Sequence, residues 1–320
     1  MRTSRVLLTL GLGLLSAACT VGSTDGLGDD DDTPEPDPDS GEIAGEIRGD
    51  QTWSGEIAIV GNTTIAAGAT VTVEPGTAIT AKDGVTLRVS GTLEVAGTAE
   101  APVTMLPTAD STTWAGIVAD PGGSVHLAYA EGGAVASLLY CHAGAALCHL
   151  DHVEFTGLSN AVTAEGPALI EASRIIDIAN GGLTIRGEGS LTVRDSYVLT
   201  SSGDLIVQSG GSLIVEYSEI GDTQGSYDHC NFHINAGTVS ITRTTIINGV
   251  VAMMLGGTDG AIIQYNNWIS NDSDLAPVGP NTAVDARFNY WEAGAPLDLG
   301  ADYDVSEASP TPLTDVGPRL

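Results

Sequence analysis

The segments ALIEASRI (Ala168–Ile175), LTVRDSYV (Leu191–Val198) and LIVEYSEI (Leu213–Ile220) decide the fold. Aligned on their last residues, they belong to a longer series. ALCHLDHV (Ala146–Val153) precedes them, and VSITRTTI (Val239–Ile246), AIIQYNNW (Ala261–Trp268) and VDARFNYW (Val284–Trp291) follow. The end residues are spaced 22, 23, 22, 26, 22 and 23 apart. Seven and five residues before each end the side chain is apolar, the period-two signature of a strand with one buried face. Two residues before each end stand Asp151, Ser173, Ser196, Ser218, Thr244, Asn266 and Asn289. Small hydrogen-bonding side chains recurring at one place suit a ladder at a turn. A unit of about 22 residues cannot bury its own apolar face, whereas stacked coils can. The prediction is an all-β fold, a single parallel β-helix of roughly a dozen rungs over residues 41–320, right-handed by the crossover preference.

The N-terminal third carries the same pattern less regularly, in TVTVEPGTAIT and GVTLRVSGTLEVAGT. Residues 107–124 are the least regular part of the body and are expected to form a loop over one face, where a site would hide.

Charge narrows the partners. Lys82 and ten Arg oppose 41 acids, for a net charge of −30. Nucleic-acid binding needs basic surface to neutralise phosphates, so that class is excluded, and anionic lipid headgroups would repel the body.

The N-terminus speaks of export. Arg2 and Arg5 precede an apolar run from Val6 to Leu15 and the small residues Ser16, Ala17 and Ala18. This is the build of a secretory signal, residues 1–18, with an apolar run too short to span a bilayer. The LSAAC ending resembles a bacterial lipobox, which implies diacylation of Cys19. Residues 25–39 (DGLGDDDDTPEPDPD) have no base and three prolines, so 19–40 is expected to be a disordered acidic tether. Membrane contact is then through the lipid alone. The resemblance places the chain in the bacterial cell envelope. Thr20 after the cysteine, by similarity to sorting rules, favours the outer membrane.

TTIAAGATVTVEPGTAI, GTLEVAGTAEAPVTM, TTWAGI and DARFNYWEAGAP together resemble the pectate-lyase-like β-helix superfamily, and most closely its non-catalytic surface lipoproteins. That resemblance implies a scaffold or adhesion module for a polysaccharide or a surface protein, and no catalysis. The alternative is a carbohydrate-active enzyme, a polysaccharide lyase or hydrolase. Lyases of the fold use an Arg base with Ca²⁺ on an exposed sheet face. The column four residues before each repeat end is His149, Glu171, Arg194, Glu216, Thr242, Gln264 and Arg287. Arg194 between Glu171 and Glu216 is therefore the catalytic candidate; a surface ion-pair ladder is the preferred account of the same residues. No cofactor is expected, Ca²⁺ entering only with the lyase alternative.

Cys141, His142, Cys148, His149 and His152 form the densest reactive cluster. It admits a disulfide between Cys141 and Cys148 across a glycine turn, a zinc site using His142, His149 and His152, or buried free thiols. The disulfide is preferred, because the spacing fits no zinc motif and exported thiols oxidise. Cys230 is expected to be a small buried hydrophobe, with His229 and His233 facing solvent. Trp268 and Trp291 share the repeat-end column and are expected to cap the core. Tyr197, Tyr217, Tyr265 and Tyr290 lean outward as a potential saccharide surface.

Overall fold

In Ser190–Arg194 the side chains of Leu191 and Val193 are buried, while Ser190, Thr192 and Arg194 face outward. Repeated rung after rung, that alternation builds the molecule. The computed structural model describes residues 41–223 and 229–320. The signal, Cys19 and tether assigned to residues 1–40 lie outside the described residues.

The body is a parallel β-solenoid of about 11 turns, and every strand pairing among the described residues is parallel. Each turn visits three faces. Face A holds strands such as Pro167–Glu171 and Ser190–Arg194, and the later halves of Ile206–Glu216 and Cys230–Thr242. Face B holds Tyr197–Ser201, Glu219–Thr223, Thr245–Ile247 and Asn267–Ile269. Face C holds Val135–Cys141, Val251–Leu255 and the earlier halves of Ile206–Glu216 and Cys230–Thr242. No helix among the described residues is long and apolar enough to cross a membrane.

The repeat register holds from Ile175 to Trp291: Ile175 pairs with Val198, Val198 with Ile220, Ile220 with Ile246, Ile246 with Trp268, and Trp268 with Trp291. The first repeat is shifted by two. Phe155, not Val153, pairs with Ile175, and Cys148 pairs with Ala168. Ala146, Cys148 and Leu150 are all apolar at a spacing of two, so a shift of two still offers an inward apolar pair and leaves no trace in the pattern.

The corner between faces A and B is built from two adjacent columns. Three residues before each repeat end the backbone is left-handed: φ is +46° at Ala172, +49° at Asp195, +46° at Tyr217, +52° at Arg243, +58° at Tyr265 and +62° at Phe288. None is glycine, so each corner carries a conformational cost of about 1–2 kcal/mol. The next residue inward offsets it. The amide of Val153 donates to Ser173 Oγ at 3.1 Å, that of Ser173 to Ser196 Oγ at 3.1 Å, and that of Ser196 to Ser218 Oγ at 3.3 Å. Thr244 donates to Asn266 Oδ1 at 2.9 Å, and Asn266 to Asn289 Oδ1 at 2.8 Å. Each hydroxyl of the series donates in turn to a carbonyl of its own rung, as Ser196 does to Arg194. The ladder predicted at the turn is therefore present and buried from Ser173 to Asn289, but Asp151, expected as its first member, is replaced there by Val153 because of the shift of two.

Between faces C and A the turns need glycine. A β-carbon on Gly189 would lie 2.3 Å from the Ala164 carbonyl oxygen, and one on Gly211 would lie 1.9 Å from that of Gly189. At the C-terminal end, Trp268 and Trp291 are buried and stacked, with centroids 4.7 Å apart.

After Tyr303–Asp304 the chain leaves the coil and runs back along the corner. Ser309 N bonds the Asn289 carbonyl, Leu313 and Asn267 exchange two hydrogen bonds, and Gly317 N bonds the Arg243 carbonyl. Arg319 reaches Asp195. No repeat pattern announces this arm.

Residues 107–124 do not form a loop over a face. Trp114–Ala119 is a face C strand paired in parallel with Val135–Cys141, with a register shift opposite Gly116. The short excursion before it is tied to the preceding rung, because Asp83 Oδ1 accepts the amides of Thr112 and Thr113 at 2.7 and 2.8 Å. Those bonds hold the Asp83 carboxyl below its usual range.

Candidate functional site

On the outside of face A, in-register stacking brings titratable side chains of consecutive rungs into contact. Arg194 pairs with Glu171 through Nη1 at 3.0 Å and with Glu216 through Nε at 3.2 Å. Glu171 also reaches His149 Nε2 at 3.2 Å. His149 stacks on His126, centroids 4.7 Å apart, and His126 Nδ1 lies 2.7 Å from Glu94 Oε1. The result is one ladder from Glu94 to Glu216. His149 enters it from a neighbouring column, because with the corrected register Asp151 is the residue that pairs with Glu171.

The three histidines considered for zinc are dispersed. His149 belongs to the ladder, His152 stacks on Tyr129 and contacts Asp151, and His142 lies beside Tyr140 and Glu165. Their ring nitrogens have separate carboxylate partners rather than a common centre. Cys141 and Cys148 are disulfide-bonded, with Cα atoms 6.2 Å apart, and both are buried. The bond clasps the turn between face C and face A.

Three of the four tyrosines, Tyr197, Tyr217 and Tyr265, already have ring partners. Arg243 lies over Tyr217 and Tyr265, Arg319 lies over Tyr217, Arg174 lies over Tyr197, and Tyr265 stacks on Phe288. An alternating aromatic and guanidinium stack thus covers the corner, with the C-terminal arm laid along it. Near the end of the coil, Arg287 grips Asp285 through Nε and Nη2 at 2.9 and 2.8 Å and holds that carboxyl far below its ordinary range.

One cluster escaped sequence reasoning. Asp204, His229, Cys230 and His233 come together beside face C. Asp204 Oδ2 lies 2.9 Å from His233 Nδ1, and Oδ1 accepts the Cys230 amide at 2.8 Å. The Cys230 thiol, 3.5 Å from Oδ1, is fully buried, and burial and the carboxylate push it up to about 12. Cys230 is thus buried as expected, but it has polar company. Asp204 stands 26 residues from Cys230, and only the stacking of rungs joins them.

A depression of about 470 Å³ lined by Val284, Asp285, Asp302 and Asp304 opens near the C-terminal end. Another, of about 390 Å³, is lined by Glu42, Glu56 and Ile57 near the first rungs. Neither touches Arg194. No family model matches the chain, and no curated protein or solved structure matches it either.

Proposed function

We propose that this chain is a cell-envelope lipoprotein that displays its β-helix as a non-catalytic binding scaffold, for a polysaccharide or the surface of another protein. The observation that carries the reading is the setting of Arg194. A lyase base must offer a lone pair to a substrate proton, whereas this guanidinium spends its N–H groups on carboxylates from both neighbouring rungs. It is arranged as a fixed donor in an ion-pair ladder. The signal-like N-terminus, Cys19 and the acidic spacer support tethered display, and the resemblance of DARFNYWEAGAP to non-catalytic surface β-helices supports the scaffold role. A net charge of −30 favours neutral glycans or basic protein surfaces as partners.

The test is an activity screen on acidic and neutral polysaccharides, with and without Ca²⁺, following unsaturated products and new reducing ends. Silence across the panel is expected. Product that disappears in Arg194→Ala would replace this reading with the lyase. Tethering is checked separately: Cys19→Ala should move the protein from the membrane fraction to the soluble one, and unchanged fractionation would remove the lipoprotein assignment.

A further inference from the structure

Asp204 precedes the strand Ile206–Glu216, and His229, Cys230 and His233 sit at the opening of the next rung's strand, Cys230–Thr242. The Asp204 carboxylate is the hub. Besides its contacts with Cys230 and His233, its Oδ1 lies 3.6 Å from His229 Nδ1. One donor atom each from Asp204, Cys230 and His233 lie within 4.8 Å of one another.

The order of contacts excludes a nucleophile relay. In a thiol–imidazole–carboxylate relay the imidazole stands in the middle and takes the thiol proton. Here the carboxylate stands between thiol and imidazole, and the thiol is buried away from any substrate. Asp204, Cys230 and His233 share a common centre, His229 Nδ1 stands 3.6 Å from the same carboxylate, and the donor types of the four are complementary. One sulfur, two imidazole nitrogens and one carboxylate oxygen make a four-coordinate zinc set, whereas Ca²⁺ asks for six to eight oxygens. The cysteine side of the cluster is closed. The histidine side is open, with the side chains of His229 and His233 39% and 30% exposed.

The place in the repeat adds to this. The interval from Ile220 to Ile246 is 26 residues, the longest of the series, so the coil here must accommodate extra chain. An ion bound by Asp204 and by residues 229, 230 and 233 would fasten the start of Cys230–Thr242 to the rung before it. It would also keep a lone exported thiol from oxidation.

We propose that Asp204, His229, Cys230 and His233 form a structural zinc site that pins the start of Cys230–Thr242 to the rung before it. The chain lends all four ligands, Cys230 as thiolate, and the ion closes the site without an open position for substrate.

The test uses the full chain carrying Cys19→Ala, so that Cys230 is the one thiol outside the disulfide. Cobalt titration should give one ion per chain, with the tetrahedral d–d spectrum and a thiolate-to-cobalt charge-transfer band. One equivalent of Zn²⁺ should displace it, and Ca²⁺ should not. Outer-shell changes alone cost 10–100-fold in metal affinity, so losing a ligand in Cys230→Ser should weaken binding by about 100-fold or more and abolish the band. His229→Gln changes a partly exposed side chain and spares the buried packing. It should weaken binding with an unchanged far-ultraviolet circular dichroism spectrum. A folded parent chain that shows no cobalt band, or an affinity unaltered in both variants, would overturn the proposal.

Discussion

Arg319 binds Asp195, 124 residues earlier in the chain, with Nε and Nη2 2.7 and 2.8 Å from the two carboxylate oxygens. The same guanidinium lies 3.5 Å from the centroid of the Tyr217 ring. The pair fastens the C-terminal arm across rungs it does not belong to. The bonds from Arg319 lower the Asp195 pKa. Its folded pKa lies below the unfolded value of about 3.9, so the stabilisation is present above that pH and lost as pH falls through the folded value. Arg319→Ala should lower the denaturant midpoint modestly at neutral pH, the pair being partly exposed. As pH falls through the lowered folded value of Asp195, variant and parent should converge. Equal midpoints at pH 7 would show that the arm rests on its backbone bonds alone.

The buried corner ladder should be far more sensitive. Ser196→Ala removes the acceptor of the Ser173 amide inside the core, and a stranded buried donor costs about 1–3 kcal/mol. Thr192→Ala, two residues from the same rung's Arg194 and facing outward, should change stability by no more than about 0.5 kcal/mol. Urea unfolding of the two variants compares them directly.

The disulfide makes a counting prediction. The chain has four cysteines. With Cys19 replaced and Cys141 bonded to Cys148, one thiol should titrate in denaturant without reductant, and three with it. Cys141→Ser with Cys148→Ser should then cost roughly 2–3 kcal/mol, the scale for a loop this short.

Trp268 and Trp291 offer a spectroscopic check of the C-terminal rungs. Their stacked rings should couple in near-ultraviolet circular dichroism, and either Trp268→Phe or Trp291→Phe should abolish the coupled signal. Trp268→Ala should destabilise by about 3–5 kcal/mol, since the ring is fully buried.

Most of the fold was legible because each rung repeats the same two demands, an inward apolar pair and a small hydrogen-bonding residue at the corner. Leu191 over Leu213 and Ser196 over Ser218 can be found by alignment alone. The left-handed corner could not: Ala172, Asp195, Tyr217, Arg243 and Phe288 share no chemistry, because their side chains point out and only their backbones are constrained. The Arg194 ladder followed from column reading. His149 joined it through a diagonal contact that in-register pairing does not show. The Asp204 cluster was hidden for a different reason. It joins a residue outside the repeat pattern to the one rung whose length departs most from the series.

The corner ladder also has a direction. Each rung gives its amide hydrogen to the side chain of the rung that follows, from Val153 onward to Asn289. A strand laid down early therefore waits for the next one before its corner is satisfied, and the last asparagine completes the line. Mechanically this makes the column a zipper with a leading tooth. Loss of the final rung uncovers the donors behind it in sequence, each acceptor leaving with its own rung.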